Sequence, residues 1–212
     1  MRIVCISDTH SRHRTISGIP HGDVLVHAGD CTGNGSLSAL EDFTKWLASW
    51  PHEYKILIAG NHDYCFERYP QESRDLCNKC GITYLEDEQV TIREHTFFGS
   101  PWTPVFRKMA FNADEAELSK LRARIPESVT VLVTHGPAWR IFDYVPREAA
   151  HVGCYSLMKK INNLPNLKAH ICGHIHESYG YAVRESDGVK FVNASICDER
   201  YLPINTPISI EL

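Results

Sequence analysis

A layered α/β fold is what this chain predicts, and three observations predict it. Short runs rich in Val and Ile recur from end to end, bounded by Gly, Pro, Asp or His, as β-strands are. Several are apolar at nearly every position, the pattern of strands covered on both faces. Segments with apolar residues at helical spacing lie between them, and strands alternating with helices stack into layers. No Gly/Ser-rich or Pro-rich linker divides the 212 residues, so residues 1–212 are expected to form one domain.

The strands are expected over residues 2–7, 24–28, 54–59, 96–99, 129–134, 168–172, 189–193 and 208–212. A first helix is expected from 38 to 50, where Leu40, Phe43, Leu47 and Trp50 share one face and Ser38 with Glu41 reads as a capping box. Residues 72–80 predict a short helix closed by Gly81. Asp114 and Glu117 open another, with the stripe Leu118, Leu121, Ile125 and a stop at Pro126. The last is expected over 154–162, through Leu157 and Ile161.

Charge and composition exclude several classes of function. Hydrophobic residues make up 43% and charged residues 23%, a globular balance that leaves out disordered and fibrous chains. The net charge is −4, so long nucleic acid and anionic membrane are not expected partners. No run is long enough for a signal-peptide core or a membrane span, and a cytoplasmic location is expected. The eight Cys do not read as a disulfide framework, which belongs to short secreted chains. Cys77 and Cys80 form one C-x-x-C with no second pair to complete a zinc site.

Twelve His is the unusual count, and their placement carries the chemistry. Five polar clusters each follow an apolar strand: Asp8-Thr9-His10, Gly29-Asp30, Gly60-Asn61-His62-Asp63, His135-Gly136 and Gly173-His174-Ile175-His176. The C-terminal ends of strands in layered α/β folds are where loops converge into sites. Carboxylate, amide oxygen and imidazole suit a divalent metal of intermediate hardness, and none of these clusters offers a thiolate. Seven such ligands exceed the need of one ion and point to a pair sharing a bridging carboxylate.

D-x-H, G-D, G-N-H-D, a strand-ending His and G-H-x-H, in that order, resemble the signature of the calcineurin-like metallophosphoesterases. Gly99-Ser-Pro-Trp-Thr-Pro, Phe111-Asn112, Thr134-His-Gly-Pro, Gly173-His-Ile-His-Glu and Val192-Asn-Ala-Ser resemble the metallophosphoesterase-domain-containing group within it. The resemblance covers almost the whole chain and implies a central β-sandwich flanked by helices. It implies that Asp8, His10, Asp30 and His176 hold one metal, and that Asp30, Asn61, His135 and His174 hold the other. It implies manganese, with iron, zinc, cobalt and magnesium as alternatives. His62 resembles the family's catalytic histidine, beside the scissile phosphate and free of metal. Protein phosphatases of the superfamily carry, three residues after G-D, an Asp that orients this histidine; here Gly33 stands there, leaving neighbouring Asp63 as the expected partner.

The function so implied is hydrolysis of small phosphodiesters, cyclic nucleotides and aryl esters included. On that expectation two metals would supply the hydroxide that attacks phosphorus in line, and His62 would protonate the departing oxygen. Arg12 and His13 follow the first ligand pair and are candidates for phosphate contact. Trp102, Phe106 and Phe111 are candidates to stack on a base or aryl ring. A phosphomonoesterase and a non-catalytic nucleotide- or partner-binding module on the same scaffold are the alternatives; a module of that kind would be marked by lost ligands, and none is lost.

Overall fold

Two sheets stacked face to face make the centre, and helices cover both outer faces. The structure is a computed structural model and describes residues 1–16 and 18–212. From the N-terminus, β1 (Arg2–Ile6) and β2 (Val24–Ala28) precede α1 (Leu37–Ala48) and β3 (Tyr54–Ile58). Helices α2 (Tyr64–Arg68) and α3 (Pro70–Lys79) lead to β4 (Thr83–Tyr84), β5 (Glu88–Ile92) and β6 (His95–Ser100). Strands β7 (Thr103–Pro104) and β8 (Asn112–Ala113) frame a loop before α4 (Glu115–Ala123) and β9 (Val131–Thr134). A small ribbon of β10 (Tyr144–Val145) and β11 (Ala150–His151) is followed by α5 (Tyr155–Ile161) and β12 (Ala169–Cys172). The chain ends through β13 (Gly180–Val183), β14 (Lys190–Asn193) and β15 (Ile208–Glu211).

One sheet has the order β15-β1-β2-β3-β4, and the other β13-β14-β12-β9-β6-β5. Strands β1 to β4 are mutually parallel, as are β14, β12, β9 and β6, while β15, β13 and β5 run antiparallel at edges. Parallel strands deliver all their C-terminal ends to one side of their sheet. Ser7 bridges to Ser195 and so ties the ends of the two sheets together.

Side chains alternate along each strand and supply three apolar layers. Ile3, Cys5, Val26 and Ile58 meet Phe97, Val133, Ile171 and Val192 between the sheets. Val4, Ile6, Leu25 and Leu57 point the other way, onto Leu40, Phe43 and Leu47 of α1 and Cys77 of α3. Leu132 and Phe191 pack outward with Leu118, Leu121, Leu157 and Ile161 of α4 and α5. Each of these buried Leu and Phe side chains contributes about 1.5–3 kcal/mol. Burial on both faces is why the central strands read as continuous apolar runs.

The first helix corrects the expected cap. Ser36 is its N-cap, with its hydroxyl accepting from Ala39 N at 3.2 Å, and Ser38 lies inside the first turn. Glu41 pairs instead with Lys45 at 2.7 Å. Asp114 does cap α4, accepting from Glu117 N at 2.9 Å, and Cys154 Sγ caps α5. The helix expected from residue 72 starts earlier, because Pro70 suits a first turn that needs no N–H. Cys77 packs in the core beneath it.

Two histidines outside the polar clusters are buried neutral. Burial, then the nearby Arg122 charge, pushes His170 down to about 3, and burial pushes His27 down to about 3. In the unfolded chain the same residues take up a proton near pH 6.5. Between those limits the unfolded state binds more protons, so stability is lost as pH falls. Each histidine is expected to remove about 2 kcal/mol between pH 7.5 and pH 5. Urea midpoints at the two pH values check this: His170→Gln should flatten the slope, and an unchanged slope would exclude the assignment.

Candidate metal centre

Every ligand-bearing segment leaves a strand at the joined ends of the two sheets. Asp8 and His10 follow β1, Asp30 follows β2, and Asn61 and His62 follow β3; His135 follows β9, and His174 and His176 follow β12. The backbone there is bent sharply: Asp8, His10, Asp30 and His174 all have positive φ, from 42° to 69°. Residues other than glycine adopt that conformation at a cost, and it clusters at functional sites. Cross-loop hydrogen bonds hold it, from Asp8 N to Gly29 O and His10 N to Asp30 O, both at 3.0 Å.

Three clusters result: Asp8 with His10 and His176, His10 with Asp30 and His62, and Asp30 with His135 and His174. The Nε2 atoms of His10 and His176 stand 3.2 Å apart. Asp8 Oδ2 accepts from His174 N and Ser195 Oγ, both at 2.9 Å, and from Ser7 Oγ at 2.5 Å. Its Oδ1 is buried with no hydrogen-bond partner and lies 3.4 Å from His176 Nε2. A buried carboxylate oxygen left this way costs free energy unless a cation completes it. Asp30 Oδ2 lies 3.7 Å from His10 Nε2 and 3.4 Å from His135 Nε2, so one carboxylate reaches into both halves.

The imidazoles are aimed from behind. His135 Nδ1 donates to Ala28 O at 2.9 Å and His176 Nδ1 donates to Asp198 O at 2.7 Å, which turns each Nε2 inward. Asn61 Oδ1 stands 2.9 Å from His135 Nε2, while its amide nitrogen donates to Met109 sulfur. Burial pushes His135 down, but the Asp30 carboxylate outweighs it and raises the residue to about 9. Burial likewise opposes His176, and the attraction of the Asp8 carboxylate raises it to about 9. Burial alone dominates at His10, lowered to about 4, and at His174, lowered to about 3. Burial pushes Asp8 and Asp30 up, and the surrounding histidines overcome it and hold both well below the usual carboxylate range. Two buried anions surrounded by inward-aimed imidazole nitrogens fit a pair of divalent cations.

Gly173 is required by this packing. A Cβ there would strike Ser7 Oγ and Asp8 Oδ2, atoms fixed by the network around Asp8. Gly173→Ala is therefore expected to cost on the order of 1–3 kcal/mol and to weaken the hold of the Asp8 cluster on a divalent metal. Thermal melting and elemental analysis of the loaded protein check both; full metal content would refute it.

His62 stands at the cleft, its ring 4.7 Å from that of His10, with its amide donating to Asp30 Oδ1 at 2.7 Å. The expected orienting partner, Asp63, is not available. Its carboxylate accepts from the amide of Gly60 in its own loop and from the amides of Cys31 and Thr32 and Thr32 Oγ1 in the segment after β2. His62 Nδ1 instead donates to the carbonyl of Gly33 at 3.2 Å. The position where the protein phosphatases carry a carboxylate thus supplies a backbone oxygen, and Nε2 is left for the cleft.

The cleft over the cluster has a volume of about 470 Å³, and among the proposed recognition residues only Phe106 lines it. Its ring is 6.3 Å from that of His174. Arg12 is exposed outside the cleft. His13 is buried against Phe43 and Trp46 and bonds Asp42 at 3.0 Å. Trp102 donates to Asp87 Oδ2 at 3.0 Å and packs on the buried Phe111, so both rings belong to the core beneath the loop. Tyr201, Arg107 and Arg147 line the cleft without having been picked out in the sequence. Ser195, which donates to Asp8 Oδ2, is the last residue of the motif Val192-Asn-Ala-Ser.

Comparisons agree with this geometry. A calcineurin-like phosphoesterase family model matches residues 1–178. Metallophosphoesterase domain-containing protein 1 of Homo sapiens is 40% identical over 236 residues, covering all of this chain and 71% of that protein. A UPF0046 protein of Caenorhabditis elegans is 35% identical over 212 residues, covering 94% of this chain and 71% of its own. Among solved structures, TT1561 of Thermus thermophilus superposes with TM-score 0.65 at 10% identity, covering 91% of this chain and 88% of that one. A putative 5′-nucleotidase from Staphylococcus aureus gives TM-score 0.53 at 11% identity, covering 91% of this chain and 48% of that one. With its helix-flanked sandwich, its acidic and imidazole cluster at the joined strand ends and this matching family model, the chain belongs to the calcineurin-like phosphoesterase family.

Proposed function

We propose that the chain is a dinuclear-metal phosphodiesterase acting on small phosphodiesters, aryl esters and cyclic nucleotides among them. The observation that carries this is Asp30, whose one carboxylate reaches both halves of the cluster while binding the amide of His62. Asp8, His10, Asp30 and His176 would hold one ion, and Asp30, Asn61, His135 and His174 the other, with manganese as the expected metal. When bound, the ions supply an activated water and neutralise the charge that builds on the phosphoryl oxygens. The chain's own part is to place that chemistry and to manage the leaving group. His62, held at Nδ1 by Gly33 O, presents Nε2 to protonate the departing oxygen.

The rim supports a singly charged diester over a doubly charged monoester. Glu148, Glu177 and Glu199 line the cleft against two guanidinium groups, Arg107 and Arg147. A second negative charge on the substrate meets that acidic excess. We read residues 1–212 as one domain, since β15 returns to pair with β1 at the start of the chain. Among the described residues no helix is long and apolar enough to cross a membrane. All eight cysteines are free, which supports a reducing, cytoplasmic location.

The test is hydrolysis of bis(p-nitrophenyl) phosphate beside p-nitrophenyl phosphate, using metal-stripped protein reloaded with Mn²⁺. Diester turnover that returns with the metal is expected. Preference for the monoester would make the protein a phosphomonoesterase, and silence on both across several metals would leave a binding module.

A further inference from the structure

The two halves of the metal cluster each have an aromatic ring beside them at the cleft wall. Phe106 stands on the His174 side, and Tyr201 on the side of His10 and His176. The Tyr201 ring is 4.7 Å from that of His10, 5.5 Å from that of His176 and 6.1 Å from that of His62, nearly edge-on to the first two. It is still 41% exposed and lines the cavity. Its backbone has φ of 60°, a left-handed conformation that a bulky aromatic residue rarely adopts.

A tight turn enforces that conformation. Asp198 accepts from Arg200 N at 2.9 Å and Leu202 N at 2.8 Å through Oδ1, and Tyr201 N donates to Asp198 O at 2.9 Å. The same Asp198 carbonyl accepts from His176 Nδ1. The residue that aims a metal-site imidazole therefore also fixes where the Tyr201 ring stands. Strain kept at such a place by an over-determined turn is better explained by a task at the cleft than by packing, since the ring is not buried.

We propose that Tyr201 is a specificity-determining residue that stacks on a planar ring carried by the phosphoester, a nucleobase or an aryl group. The assignment rests on the phosphoesterase reading of the same site. It makes ring-bearing esters the favoured substrate class over purely alkyl ones, and stacking tolerates either ring because both present a π-face.

The experiment is calorimetric binding of AMP and of ribose 5-phosphate to the Mn²⁺-loaded protein, with metal content verified for each variant. Tyr201→Ala should weaken AMP about tenfold or more and leave ribose 5-phosphate within twofold. Tyr201→Phe should keep the AMP affinity. Equal weakening of both ligands, a phenylalanine variant as weak as the alanine one, or wild type that holds ribose 5-phosphate as tightly as AMP would each overturn the proposal. Turnover of the aryl diester, measured alongside, separates the two readings: a protein that binds AMP through Tyr201 yet hydrolyses no diester sinks the catalytic reading and keeps this one.

Discussion

Replacing Asp30 with Asn is expected to leave less than one tightly held divalent ion per chain and to lower turnover of the proposed diester substrate by about 10³-fold or more. Among the described residues the Asp30 carboxylate is the one group whose oxygen lies near His10 Nε2 and His135 Nε2 together, at 3.7 and 3.4 Å. Removing its charge weakens both halves at once, whereas the loss of Asn61 or His174 would touch only one. The substitution is close to isosteric, and an amide oxygen still accepts from His62 N, so the loop should keep its path. Circular dichroism and melting temperature check that the fold persists, and elemental analysis counts the ions. Two retained ions with turnover within tenfold of wild type would show that Asp30 bridges nothing.

His62→Gln separates chemistry from binding. Both ions should remain if the proposed sets Asp8, His10, Asp30, His176 and Asp30, Asn61, His135, His174 hold them, and loss of an ion would show that His62, which clusters with His10 and Asp30, is itself a ligand. Turnover should fall by about 10²–10⁴, the usual worth of a general acid, with KM changed only a few-fold. The loss should depend on the leaving group. A p-nitrophenolate leaves readily without a proton, so its ester should suffer least. An alkoxide leaving group needs the proton and should suffer most. If the loss is the same for both, His62 grips the phosphate and does not protonate the departing oxygen.

The candidate ligands could be grouped from the sequence because each lies within a few residues of the end of an apolar run, and parallel strands carry their ends to a common side. Asp8 after Ile3–Ile6 and His135 after Val131–Thr134 needed no knowledge of packing to be placed together. The recognition residues were less legible. Trp102 and Phe111 stand in a segment rich in Pro and polar residues, yet their rings turn inward under the β7–β8 loop. His13 lies three residues past His10, but the turn at Ser11, with φ of 62°, sends it toward α1. Tyr201 carries no local motif, since its position comes from the turn around Asp198. The edge strands β5 and β13 carry no buried apolar run to mark them: Glu88, Gln89 and Thr91 are exposed on β5, and β13 is a four-residue strand opening at Gly180 with Tyr181, Ala182 and Val183 exposed.

The Gly33 carbonyl has an evolutionary corollary. A carboxylate that steers a catalytic ring is one codon change from being lost. A peptide oxygen is presented by whichever amino acid occupies the position, and a Cβ at residue 33 would meet nothing nearer than 3.5 Å. The local chain can therefore drift in composition without releasing His62, and only a rerouted loop would set the ring free. The aim of the proposed acid is thus set by the path of the polypeptide and not by the identity of a side chain.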